Sequence, residues 1–164
     1  MGKTAPGQNK NRIGEGSDVP PSPRRRAART VWTAPVKGFL IRAPHYGSGK
    51  TTVALGLVRA LKDHGVRVAS AKAGPDYIDP AFHAAATARD CVNLDPWAMR
   101  EAQLRALALD AGADADVLVV EGMMGLFDGA ADGKGSSADL AALLGLPVVL
   151  VVDCARQSHS VAAL

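Results

Sequence analysis

From Gly38 onward, short continuous apolar runs alternate with segments of helical period. "GFLIRA" at residues 38–43 reads as a buried strand, and residues 51–64 read as a helix stopped by Gly65. "VRVASAK" is a second strand, followed by a loop rich in Pro and Asp and a short Ala-rich helix around residues 82–87. Residues 100–111 place Leu104, Leu107, Ala108 and Ala111 on one helical face. "VLVVEG" is a third strand, and "SSADLAALLG" is a helix with a Ser136/Asp139 capping box and a stop at Gly145. "PVVLVVD" is a fourth strand, and "ARQSHSVAAL" begins another helix. Strands apolar on both faces must be covered on both, and strand–helix succession of this kind folds through right-handed crossovers into a parallel sheet. No internal repeat is present. About four strands are laid down by Leu164, fewer than such sheets average, so the sheet is expected to be incomplete at its C-terminal end.

The formal charge of +3 over 164 residues is unevenly placed. Residues 1–36 hold seven Lys/Arg against Glu15 and Asp18, net +5, whereas residues 37–164 hold twelve against fourteen, net −2. The basic pI therefore describes the leader and not the folded part. That leader is rich in Pro, Gly, Asn, Ser and Arg, and it cannot bury enough surface to offset its ordering entropy, so residues 1–36 are expected to be a disordered basic tail. Its "SPRRRAARTVW" run could touch nucleic acid or an anionic surface, but it reads as a solvated leader, and no nucleic-acid partner is expected. No apolar h-region follows the basic residues and no stretch approaches a membrane span, so neither secretion nor membrane insertion is expected. Cys91 and Cys154 lie far apart without metal spacing, as in a reduced cytoplasmic protein.

Ligands of parallel sheets sit outside the carboxyl ends of the strands, and the reactive residues of this chain fall there. After the first strand comes "PHYGSGKTT". Gly47, Ser48, Gly49, Lys50, Thr51 and Thr52 form a phosphate-binding loop whose backbone N–H groups converge at the positive end of the next helix. Lys50 would reach the β- and γ-phosphates, and the Thr51 hydroxyl would bind Mg²⁺. Pro44 stands where the common pattern has a glycine, which is tolerable because the amides that matter lie from residue 47 to 51. After the second strand comes "KAGPDYIDP", with Lys72, Asp76 and Asp79, and after the third "EGMMGLFDG", with Glu121 and Asp128. Aspartates in such loops often only cap turns, and Asp79 before Pro80 fits that reading as well as a functional one. Glu121 ends an apolar strand, where an unpaired carboxylate is costly, so it calls for a cation such as Mg²⁺ beside a triphosphate. His45, His64, His83 and His159 share no ligand spacing, and His64 reads as a helix C-terminal residue.

"APHYGSGKTT", "KAGPDYIDPAFHAAAT", "NLDPW" and "EGMMGLFDG" resemble the N-terminal synthetase domain of the cobyrinic acid a,c-diamide synthase family, which in cobalt-late pathways acts on hydrogenobyrinic acid. The resemblance covers residues 38–164, and it makes the loop a family variant of the phosphate loop. It implies a P-loop NTPase-type α/β fold similar to dethiobiotin synthetase, with residues 37–164 forming the N-terminal part of an ATP-binding amidoligase domain. It also implies ATP- and Mg²⁺-dependent amidation of the a and c side-chain carboxylates of a corrinoid, with ammonia drawn from glutamine. By the family's pattern, Asp76, Asp79, Glu121 and Asp128 position ATP, metal and substrate, and only those four positions are carried over. The residues themselves make Lys50 and Lys72 the expected catalytic cations and Thr51, Asp76 and Glu121 the expected metal set. An acceptor carboxylate is already ionised at pH 7, so the chemistry needs cationic stabilisation and no general base.

The resemblance implies that the family's chains continue into a glutaminase domain, which residues 1–164 are not expected to contain, since neither Cys91 nor Cys154 sits in a nucleophile-elbow context. A partitioning ATPase of the MinD/ParA type is the alternative from another class. Such proteins place a lysine early in the loop, where this chain has His45. An inactive gene fragment carrying every motif above is the third reading, and a homodimer is compatible with each.

Overall fold

In the computed structural model, residues 1–2 and 35–163 are described, so the expected disordered leader lies almost wholly outside the described residues. Five parallel strands form one sheet in the order β3-β2-β4-β1-β5. They are β1 (Gly38–Ala43), β2 (Val68–Ala73), β3 (Val92–Leu94), β4 (Val117–Gly125) and β5 (Val148–Leu150). The intervening helices are α1 (Lys50–Asp63), α2 (Asp79–Thr87), α3 (Glu101–Gly112) and α4 (Ser137–Leu144). The α/β parallel architecture expected from the alternation is present.

Alternation along each strand sorts side chains to two cores. Leu40, Ala69, Ala71, Leu118 and Val120 pack with Leu104 and Ala108 of α3 and Leu140 and Leu144 of α4. Ile41, Val68 and Val119 pack on the opposite face with Ala54 and Val58 of α1. The connection from β1 runs past β4 to β2, and that from β4 runs past β1 to β5 on the other face. The sheet therefore switches direction between β1 and β4, which opens a crevice at their carboxyl ends.

The structure corrects four local expectations. A fifth strand, β3, was missed because three residues cannot display a period. It holds the loop after β2 in place, with Asn93 Nδ2 donating to the Asp76 carbonyl at 2.8 Å and Gly74 N to the Leu94 carbonyl at 2.7 Å. Helix α2 begins at Asp79, three residues before the expected start, because Pro80 is well tolerated in a first turn. Residues 155–163 do not open the expected α-helix, and only a 3₁₀ turn forms at His159–Ala163. Strand β5 is three residues long, and Val148, Val149 and Leu150 are exposed, since no described element covers it. No helix among the described residues is long and apolar enough to cross a membrane.

The Ser136/Asp139 capping box is formed, with Asp139 N donating to Ser136 Oγ at 3.1 Å and Ser136 N to Asp139 Oδ2 at 3.0 Å. Ser136→Ala should therefore destabilise the chain by about 1 kcal/mol in thermal or urea denaturation.

Candidate active site

The phosphate loop is a tight turn between β1 and α1 that ends on Gly49 at φ 76°. An L side chain rarely adopts that conformation, so a glycine at this position lets the loop turn directly into the helix N-terminus. Ser48 Oγ donates to the His45 carbonyl at 3.0 Å, and His45 Nδ1 is 2.8 Å from the Tyr46 carbonyl, so the loop is internally braced. Beside it lies a cleft of about 560 Å³ lined by the loop, Lys72, Asp76, Asp79, Met123 and Met124. That volume lies within the range of small-ligand sites.

Lys72 and Glu121 are partners in the register of β2 and β4, and alternation sends both to the α1/α2 face. Glu121 is fully buried. Its Oε1 accepts from Lys50 Nζ at 2.7 Å, Thr51 Oγ1 at 2.6 Å and Lys72 Nζ at 3.1 Å, and its Oε2 lies 2.6 Å from His83 Nε2. Burial pushes its pKa up, but hydrogen bonds from His83, Lys50 and Thr51 and the charge of Lys72 outweigh this and hold it far below the usual carboxylate range. Burial likewise disfavours the Lys72 ammonium, but its hydrogen bond to Asp79 and the Glu121 charge prevail, so its pKa is raised. In this structure the lysines of the chain itself meet the charge of Glu121.

The remaining carboxylates divide between two regions. Asp79, which fitted a turn cap, pairs with Lys72. Asp76 accepts from Ile78 N at 2.8 Å and Asp79 N at 3.0 Å at the start of α2, and it stands 3.6 Å from Lys72. Burial raises the Asp76 pKa, but these two backbone hydrogen bonds and Lys72 bring it down on balance. Asp128 Oδ2 accepts from Gly125 N at 2.7 Å and lines a second cavity of about 230 Å³, together with Gly74, Trp97 and Ser137. The structure thus brings together Lys50, Thr51, Lys72, Asp76, Asp79 and Glu121, and it sets Asp128 apart. Thr51 and Glu121 touch directly, while Asp76 is joined to Glu121 only through Lys72. Among the described residues, no three His, Cys, Asp or Glu side chains form a ready-made metal cage.

Two residues escaped the sequence reading. His83 is fully buried against Glu121. A helix drawn from residue 82 hid the Asp79–His83–Thr87 spacing that places all three on one face. Arg42 is fully buried on the α3/α4 face, and its Nε, Nη1 and Nη2 have no hydrogen-bond partner among the described residues. Burial lowers its pKa to about 10, offset in part by the charge of Asp128. Its side chain lies where any Cβ on Gly122 would come within 2.6 Å of its Cδ. The charge inside an apolar strand was a signal for Arg42 as much as for Glu121. Cys91 is half-buried, and burial raises its thiol to about 11, which makes it a poor nucleophile.

Two stability effects follow. A carboxylate whose folded pKa is depressed contributes stability above its ordinary pKa near 4.5, and that contribution is lost as pH falls toward the folded value. Stability should therefore decline from about pH 4.5 downward, and Glu121→Gln should flatten that decline while costing on the order of 3 kcal/mol at pH 7, read by urea denaturation. Arg42→Met should instead raise stability at pH 7 by about 1 kcal/mol or more, because it removes an unpaired buried charge.

The family described as CbiA, the CobQ/CobB/MinD/ParA nucleotide binding domain, matches residues 41–164. A hydrogenobyrinate a,c-diamide synthase of Brucella suis is 70% identical over 132 residues, which are 79% of this chain and 30% of that protein. The proteins of the same name from Rhizobium meliloti and Rhodobacter capsulatus are 65% identical over 129 residues and 57% identical over 131. The chain spans about 30% of the length of these relatives. With a parallel sheet, a glycine-capped phosphate loop and a buried carboxylate on its lysine and threonine, the chain belongs to the CobQ/CobB/MinD/ParA nucleotide-binding domain family.

Proposed function

We propose that this chain is the nucleotide-binding part of an ATP-dependent amidoligase that activates the a and c side-chain carboxylates of hydrogenobyrinate or cobyrinate in the cytoplasm. The observation that carries the reading is the setting of the phosphate loop. Five of the six aromatic side chains among the described residues (Tyr46, Tyr77, Phe82, Trp97 and Phe127) are exposed, and they lie on segments that follow the carboxyl ends of β1 to β4. Tyr46 lines the cleft and Trp97 the second cavity, and exposed rings on these segments suit a large flat ring system that stacks on them. The relatives' name, hydrogenobyrinate a,c-diamide synthase, supports a macrocycle as that ligand.

Thr51 Oγ1 and Glu121 Oε1 are hard oxygen donors 2.6 Å apart, so both can reach a single cation. Lys50 and Lys72 face three carboxylates, Asp76, Asp79 and Glu121, which leaves a net negative charge for a divalent ion to balance. The site therefore fits Mg²⁺, held by Thr51 and Glu121 with Asp76 nearby. Mg²⁺ would neutralise charge developing on the transferred phosphoryl group. The loop amides hold the ATP phosphates, and Lys50 turns from Glu121 to the β/γ-oxygens. Lys72, kept protonated by Asp79 and Glu121, offsets repulsion between the acceptor carboxylate and the γ-phosphate. The carboxylate oxygen bonds to phosphorus as ADP leaves. Ammonia from a glutaminase then attacks the acyl carbon, phosphate departs, and a proton is released to leave the amide. Asp128, in the second cavity, faces the macrocycle and not the metal. The MinD/ParA-type reading loses ground because His45 is engaged within its own loop.

Titration calorimetry should give Mg·ATP binding that Lys50→Ala abolishes. In a Trp32→Phe background, hydrogenobyrinate should quench Trp97 emission. A regulatory ATPase would dimerise with Mg·ATP and leave Trp97 unchanged, which would sink the ligase reading. In a chimera carrying the remaining portion of a relative and supplied with free ammonia, Glu121→Gln should lower turnover with a shifted Mg²⁺ dependence. Asp128→Asn should mainly raise the corrinoid KM or stall the reaction at the monoamide. Identical defects in both variants would refute this division.

A further inference from the structure

The two oxygens of Glu121 are held unequally. Oε1 receives Lys50, Thr51 and Lys72, whereas the hydrogen-bond partner of Oε2 is His83, at 2.6 Å. The last torsion of a glutamate is broad, so the Oε1 contacts alone leave the plane of the carboxylate loosely set. An ionised carboxylate only accepts, so Nε2 of His83 is assigned the hydrogen of this bond. His83 is fully buried and its Nδ1 has no partner among the described residues. Burying an imidazole in that condition costs free energy that an apolar side chain would avoid, so packing alone does not account for it.

The rest of α2 is built around the same contact. Asp79 and His83, four residues apart on one helical face, hold Lys72 and Glu121 respectively. Thr87 Oγ1, one turn further on, donates to the His83 carbonyl at 2.9 Å. The position of α2 against the sheet therefore sets the orientation of Glu121.

We propose that His83 is a positioning residue for Glu121: its Nε2–H pins Oε2, so that Oε1 is the oxygen presented to Thr51 and to the magnesium ion that accompanies the nucleotide. This rests on the reading of the cleft as a Mg·ATP site. A side chain that hydrogen-bonds a metal ligand in this way tunes the affinity for the metal more than that for the rest of the bound molecule.

The test compares two polar replacements that differ in reach. Glutamine at position 83 carries an amide N–H near the place of Nε2, whereas asparagine stops near Nδ1 and cannot reach Oε2. Calorimetry of the 164-residue chain with ATP, in excess Mg²⁺ and in EDTA, gives both affinities, and melting temperature is recorded alongside. His83→Asn should weaken Mg·ATP binding about tenfold or more, with metal-free ATP binding changed less than about twofold. His83→Gln should restore Mg·ATP affinity to within about threefold of wild type. Equal behaviour of the two variants, or a proportionate loss of ATP and Mg·ATP binding in both, overturns the positioning role and leaves the nucleotide site standing. A wild-type chain that binds no Mg·ATP removes the nucleotide reading and the role of His83 with it.

Discussion

Four separate segments meet at one buried carboxylate. Glu121 sits midway along β4, Lys72 comes from β2, Lys50 and Thr51 from the phosphate loop, and His83 from α2. A buried carboxylate is tolerable only when its lone pairs are filled and its charge is met, and each of these segments supplies part of that. Displacement of any one of them leaves a charge unpaired in a low-dielectric interior. The loop, the second strand and α2 are therefore coupled through electrostatics as well as through packing.

The two faces of the sheet handle charge in opposite ways. On the α1/α2 face, lysines and carboxylates alternate in one connected network. On the α3/α4 face, Arg42 is enclosed without a hydrogen-bonded partner among the described residues, with Asp128 nearby. Between these regions the register of β1 and β4 slips, so that Arg42 on one strand stands opposite residues 122–124 on the other. Met124 takes φ 44° there, a conformation uncommon outside glycine. Met123 and Met124 line both cavities, so this strained bulge is the wall between the nucleotide cleft and the region of Asp128.

Long elements were legible because their periods repeat. The apolar runs of β1, β2 and β4 and the spaced leucines of α3 declared themselves, and the Ser136/Asp139 box marked α4 to the residue. Short elements were not. Strand β3 is defined by pairing with β2 and not by any pattern of its own, and the apolar run after Pro147 yields only three paired residues at an uncovered edge. The start of α2 was missed by three residues, and that small error concealed His83, because a one-turn relation cannot be read across a boundary drawn inside it.

By itself, the sequence determined the parallel α/β class, the phosphate loop and the placing of reactive residues at strand ends. Each of these follows from local spacing or from the cost of burying a charge. Only the tertiary structure decided who pairs with whom. Asp79, which read equally as a turn cap, became an ion partner, while Asp76 and Asp128 took backbone caps. Glu121 found its cations within the chain, and a histidine with no ligand spacing became its second anchor. The physical reason is that a buried charge is satisfied by whatever the fold brings within about 3 Å, and that distance is set by strand register and helix position across tens of residues.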